Sequence, residues 1–191
     1  MTIKFLHTLC CFIIAISVMS CDKNDTGKNK TSVTTTAGDS VNKTKEVKTV
    51  QSIGGTYTFG SNPEKEAVGS IMVYPLNSSS ALFYLDITRG APSYNSGQLF
   101  GEMNVKDSIG IYDSKADSND LNCILTFHFS PEQLEITTNP EHKDCGFGNG
   151  VNADNKYKLT GKALPEYFIN GEGDTIQFKG LTVEKYKHRN D

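Results

Sequence analysis

From Gly54 onward the apolar residues come in short runs that alternate with polar ones, and glycine, asparagine, aspartate, serine or proline interrupts them roughly every ten residues. Alternation of period two puts successive side chains on opposite faces of an extended strand, and no stretch sustains the helical period. Nine segments carry the pattern: Thr56–Phe59, Gly69–Leu76, Ala81–Thr88, Gln98–Val105, Ile109–Tyr112, Leu121–Phe129, Gln133–Thr137, Lys156–Thr160 and Thr175–Phe178. The expectation is an all-β fold, a mostly antiparallel curled sheet or small barrel of about 8–9 strands that hides its edges by closing. In Leu121–Phe129 the odd positions are Leu, Cys, Leu, Phe and Phe, so Cys123 should point into the core and His128 away from it. Ala81, Phe83, Leu85 and Ile87 share one face of their strand, and Leu82, Tyr84, Asp86 and Thr88 share the other. The only helical signals are a short turn at Pro63–Ala67 and another near Pro165.

The first twenty residues have a different texture. Lys4 and the free amine supply positive charge, and Leu9–Val18 is an apolar run broken only by Ser17, too short to span a bilayer by itself. The run ends in Val18-Met19-Ser20-Cys21, which resembles the lipobox of bacterial lipoproteins, with Met19 in place of the usual small residue. The resemblance implies a signal-peptide helix removed ahead of Cys21, acyl chains on the Cys21 sulfur, and attachment to the inner or outer membrane of a bacterial cell envelope, periplasmic or surface-exposed. Two or three chains make such attachment effectively permanent. Asp22, next to the cysteine, would retain an enteric lipoprotein at the inner membrane, whereas in Bacteroidota-like bacteria acids at this place resemble a surface-export signal.

Asp22–Ser52 is rich in Lys, Asn, Thr, Ser, Asp and Gly, has no aromatic residue, and holds only Val33, Val41, Val47 and Val50 as strong apolar residues. Such a segment cannot bury enough to offset its ordering entropy, which predicts a disordered tether. As a flexible coil its 31 residues would span roughly 30 Å, and about 100 Å when stretched. Asp39-Ser40-Val41 within it resembles the short O-glycosylation motif of Bacteroidota. The expected division is therefore signal peptide 1–20, lipidated cysteine and linker 21–52, β domain 53–162, and a carboxyl-terminal extension 163–191 with one strand packed on that domain.

Charge separates the parts. From Ile53 onward there are 12 basic against 18 acidic residues, so the folded region is acidic. That argues against nucleic acid, which selects a basic patch, and suits a cationic protein or peptide partner.

Five cysteines reduce to two once Cys10 and Cys11 leave with the signal and Cys21 is acylated. Cys123 and Cys145 then read as one disulfide of an exported domain, worth about 3 kcal/mol in the chain-entropy model. The competing reading is a zinc site of Cys123, His128, His142 and Cys145. Strand geometry opposes it, because residues five apart lie on opposite faces and about 16 Å from each other.

No catalytic motif emerges. Gly146-Phe147-Gly148-Asn149-Gly150 lacks the Lys-Ser/Thr and the helix that would receive a phosphate, and reads as a tight turn with Phe147 packed inward. His128, His142 and His188 have no nucleophile elbow beside them, and Asp86 and Glu102 are acids on or near strands without a sign of a shared cleft. The loop Gly90–Gly97, with Arg89 on its flank and Tyr94 and Asn95 within it, is the candidate binding loop. No cofactor and no metal is implied.

The order of features from Gly54 to about Thr160, a Gly-Xaa-Tyr opening, a strand pair, Cys123–Phe129 and then Cys145-Gly146-Phe147-Gly148, resembles small exported β domains, some of which accompany lysozyme-inhibitor lipoproteins. The Ser-Gly-rich inhibitory loop of the membrane-bound lysozyme inhibitors is missing. The resemblance implies a barrel that binds rather than cleaves. The expectation is a non-enzymatic, lipid-anchored module that binds a protein, peptide or envelope component, with an envelope hydrolase or a structural subunit of an envelope complex as the alternatives.

Overall fold

In the computed structural model, residues 53–117 and 120–189 are described. Cys21, the tether and Asp39-Ser40-Val41 lie outside the described residues. Alternation translates into ten strands: β1 (Gly55–Phe59), β2 (Val68–Pro75), β3 (Ser80–Thr88), β4 (Ser96–Lys106), β5 (Ile109–Asp113), β6 (Asn122–Ser130), β7 (Gln133–Asp144), β8 (Asn155–Gly161), β9 (Tyr167–Ile169) and β10 (Thr175–Gln177). β1 to β8 pair antiparallel in sequence order, and β8 closes on β1, giving an eight-stranded closed barrel within the expectation of a curled sheet or small barrel of about 8–9 strands; the ninth predicted segment, Thr175–Phe178, lies outside it. Closure leaves the barrel no free edge.

The inward positions fill the barrel. Phe83 lies with its ring centroid 5.0 Å from that of Phe127 and 5.2 Å from that of Tyr112, within a cluster that includes Ile71, Val73, Leu85, Leu125, Leu134 and Ile136. Two tyrosines fasten the chain at either end of the barrel in the same way. The Tyr57 hydroxyl donates to the carbonyl of Ile53 at 2.8 Å, and the Tyr157 hydroxyl to that of Ala153 at 3.0 Å, each four residues upstream. Cys123 is fully buried and forms the expected disulfide with Cys145, Cα to Cα 4.7 Å. The bridge sits beside an irregularity in the β6–β7 ladder, where the register passes from Leu125↔Thr138 to Cys123↔Lys143. The extra residues of β7 bulge outward there, and Pro140 is tolerated because an irregular ladder does not need its missing N–H.

The carboxyl-terminal extension differs from expectation. It contains two strands, β9 and β10, paired with each other, and a short helix α1 (Val183–Lys187), rather than one strand. Thr182 caps α1, its hydroxyl accepting from Lys185 N at 3.2 Å. The residues after Pro165 form β9 instead of a helical turn, and Pro63–Ala67 is a turn closed by Lys65 and Glu66 N–H on the Asn62 carbonyl, not a helix. This strap lies on the outer face of β2, β3 and β4 and creates a second apolar cluster of Leu82, Tyr84, Phe100, Phe168 and Phe178. Phe168 stacks on Tyr84 at 4.2 Å and lies 5.5 Å from Phe100, while Tyr74 stacks on Phe178 at 5.3 Å. Leu82 and Tyr84, the outward residues of β3, are thereby as buried as its inward ones.

Candidate functional site

An antiparallel meander sends its connections alternately to two ends, and here the two ends are unlike. At one end the turns are short: 76–79 between β2 and β3, 107–108 between β4 and β5, and 131–132 between β6 and β7. Asp107 and Ser108 both take positive φ, 49° and 66°, the conformation of a two-residue hairpin turn. At the other end lie the long connections: 60–67, 89–95, 114–121 and 145–154. That end holds the loop the sequence singles out.

Arg89, Tyr94 and Asn95 are brought together on this rim, and each is braced by a neighbouring loop. The Tyr94 hydroxyl donates to Glu64 Oε2 at 2.5 Å, and this contact holds the phenol above its usual range. Asn95 Nδ2 donates to the Asn149 carbonyl at 2.6 Å. The Arg89 guanidinium lies so close to Gly150 that a Cβ there would stand 2.6 Å from one of its nitrogens. Backbone bonds complete the knitting: Ala91 N donates to Pro63 O, and Gly148 N to Ser96 O. Gly90 has φ 83°, and a Cβ on it would meet the Glu66 carbonyl oxygen at 2.3 Å, so only glycine fits this close approach. Tyr94 keeps 45% exposure despite its brace. The loops 60–67, 89–95 and 145–154 therefore form a preformed surface, with little left to order when something binds.

Beside Asn149 the glycine-rich segment behaves as its sequence predicts. Gly146 and Gly150 take φ of 73° and 74°, and Phe147 packs inward against the core and over Gly97. Between this segment and the β7 bulge runs a groove of about 500 Å³, lined by Pro140, Phe147 and Val151 and by Thr138, Lys143 and Asp154, with Cys145 at its base. Thr138 fixes the Asp154 carboxylate through both its N–H, at 2.7 Å, and its hydroxyl, at 2.6 Å.

The long-loop rim also concentrates charge. Along the four connections and the strand ends that run into them stand nine acids, Glu64, Glu66, Asp86, Asp113, Asp117, Asp120, Glu141, Asp144 and Asp154. Lys65, Arg89, Lys115, Lys143 and Lys156 are the five basic residues there. The opposite end carries Lys106 and Lys162 with Asp107, Glu132, Glu135 and Glu166, an acid excess of two against four on the rim.

Asp117 is a group that sequence reasoning missed. One carboxylate oxygen accepts the Glu102 N–H, and Oδ2 is sealed from solvent without a hydrogen-bond partner. Burial pushes its pKa up to about 6; the Glu102 N–H and the Lys187 charge pull down, and Glu102 and Asp113 push up. It lines a cavity of about 200 Å³ under α1, together with Tyr84, Phe100 and Tyr186. Nothing in the sequence near Asp117 marks it, because its neighbours in space come from β4 and from the strap.

The other sequence candidates do not converge. His128 is exposed on the flank of β6, His142 Nδ1 lies 2.7 Å from Asn122 Oδ1 on the rim, and His188 is on the strap. Both sulfurs of the four-residue Cys/His set are committed to the disulfide. Asp86 faces Gln98 across the ladder, while Glu102 faces Leu82 four residues along the same strand pair, so the two acids are about 13 Å apart on an outer face. Among the described residues no group of three or more His, Cys, Asp or Glu side chains is placed to hold a metal ion. Comparison with protein-family models, with curated proteins and with solved structures finds no match for the chain.

Proposed function

We propose that the chain is a lipid-anchored lipoprotein of a bacterial cell envelope whose barrel is a non-enzymatic binding module, and that its partner is a cationic protein or peptide seated on the long-loop rim. The observation that carries this reading is the polarity of the barrel. All four long connections and most of the excess acid gather at one end, while the chain arriving from Cys21 enters at the other. The filled interior supports binding by surface rather than by enclosure, since the space that a closed barrel could offer a small ligand is taken by Phe83, Tyr112, Phe127 and their neighbours. The braced loops support recognition of a partner without prior reorganisation. An acidic rim raises the encounter rate with a cation and does so in a salt-dependent manner.

Lysozyme, a cationic envelope-active protein, is the appropriate first probe. The processed, lipidated protein in vesicles should retain lysozyme at low ionic strength and release it progressively as salt is raised. Retention that is indifferent to salt, or no retention of lysozyme or of any basic envelope protein at low salt, would overturn the reading.

A further inference from the structure

The short-turn end of the barrel carries exposed apolar side chains around the point where the chain enters. Ile53 plugs that end and is buried, whereas Leu164 beside it is 48% exposed and Leu76 is 40% exposed. These two are linked through Pro75. A Cβ on Gly54 would lie 2.3 Å from Leu164 Cδ2 and 3.0 Å from the Pro75 ring, and Leu76 follows Pro75 directly. Tyr167, three residues beyond Leu164, is also 48% exposed. Leu164, Pro75 and Leu76 thus form a collar around the entry of Ile53, with Lys162 next to it.

We infer that this collar is a contact surface for the lipid bilayer, so that the domain rests on its short-turn end and presents the long-loop rim outward. The inference rests on the reading of Cys21 as the anchor. Its occupant is argued from where the chain leads: 31 residues separate Cys21 from Ile53, and they join the barrel at the collar. The coil that the composition of these residues predicts would keep the collar within roughly 30 Å of the membrane on average. At the resulting effective concentration, a patch too small to hold a membrane by itself is sufficient. The chemistry fits an interface: leucines below the headgroups, a tyrosine at their level, and a lysine reaching phosphate. Electrostatics orient the molecule the same way. The rim, with nine acids against five bases, is repelled by anionic headgroups more strongly than the collar end, with four against two.

The chain has no tryptophan, which permits a direct test. Leu76→Trp, Leu164→Trp and, on the far rim, Tyr94→Trp are each prepared as the processed, lipidated protein in phosphatidylethanolamine and phosphatidylglycerol vesicles, with and without brominated lipid. The expected result is blue-shifted emission and a loss of intensity in brominated vesicles for Leu76→Trp and Leu164→Trp, and neither for Tyr94→Trp. Equal quenching at both ends, or none at the collar in protein that floats with the vesicles, would overturn the contact while leaving the anchor standing. A blue shift without brominated-lipid quenching would assign the collar to protein, a second copy or the tether, and also overturn it. Protein that fails to float with the vesicles would remove the anchor reading and this inference with it.

Discussion

Asp117 shows how one carboxyl can tie stability to pH in a fold without a charged core. In the folded chain its pKa is pushed up to about 6 from 3.8, chiefly by burial, so the folded state holds the proton more tightly than the unfolded one. Below about pH 4 both states are protonated and the group is silent. Between about pH 4 and pH 6 the unfolded chain ionises first, so stability falls as pH rises through this window, and above pH 6 the loss is complete. Allowing for the solvent that reaches this half-buried group, the loss is on the order of 1 to 2 kcal/mol. Asp117→Asn keeps an acceptor for the Glu102 N–H and cannot ionise. Urea unfolding at pH 4 and pH 7 should therefore show the Asn variant gaining on the native protein by that amount. A gap between the two that does not change with pH would mean that Asp117 keeps an ordinary acidity.

At the scale of elements the decisive feature is the strap. β3 reads in sequence as two faces, one of Ala81, Phe83, Leu85 and Ile87 and one opening with Leu82 and Tyr84, and Leu82 and Tyr84 are buried as well because β9, β10 and α1 cover them. Phe168 is the central contact, touching Tyr84, Phe100, Phe178 and Tyr186. Phe168→Ala should cost about 3 to 5 kcal/mol if the strap is an integral part of the cooperative unit. Limited proteolysis of the variant should cut within 163–189 before it cuts the barrel, and cleavage starting in β1 to β8 would show the opposite order of stability. The eight barrel strands were legible because each is long enough to display the alternation, and Leu121–Phe129 displays it over nine residues. β9 was not, since three residues after Pro165 show no period, and α1 was not, since five residues make little more than one helical turn. The long tail of β7 stayed hidden behind Pro140, which ordinarily ends a strand. The loop with Arg89, Tyr94 and Asn95 could be picked out from composition, but its braces join residues 30 and 54 positions apart, which no local pattern reveals.

At the scale of the whole molecule, net charge counts for less than where it sits. The region from Ile53 onward has 18 acids against 12 bases, which by itself would attract a cation to any side of the barrel. Most of the excess is gathered on the long-loop rim, and at physiological ionic strength charges act over only about 8 Å, less than the length of a barrel strand. A cationic partner therefore responds to the rim and hardly to the far end. Two double variants with the same change in net charge separate local from global attraction. Glu141→Lys with Asp144→Lys reverses charge on the rim beside the groove, and Asp107→Lys with Glu132→Lys reverses it in the turns at the short-turn end. All four side chains are solvent-exposed, so both variants should fold. The rim pair should slow association with lysozyme by about tenfold or more at low salt, and the difference should shrink as salt is added. At physiological ionic strength the short-turn pair should leave the rate within about twofold of native, since its charges then lie beyond the screening length from the rim. Equal slowing by both pairs would mean that overall charge alone draws the partner, and that the gathering of long loops and acids at one end plays no part in recognition.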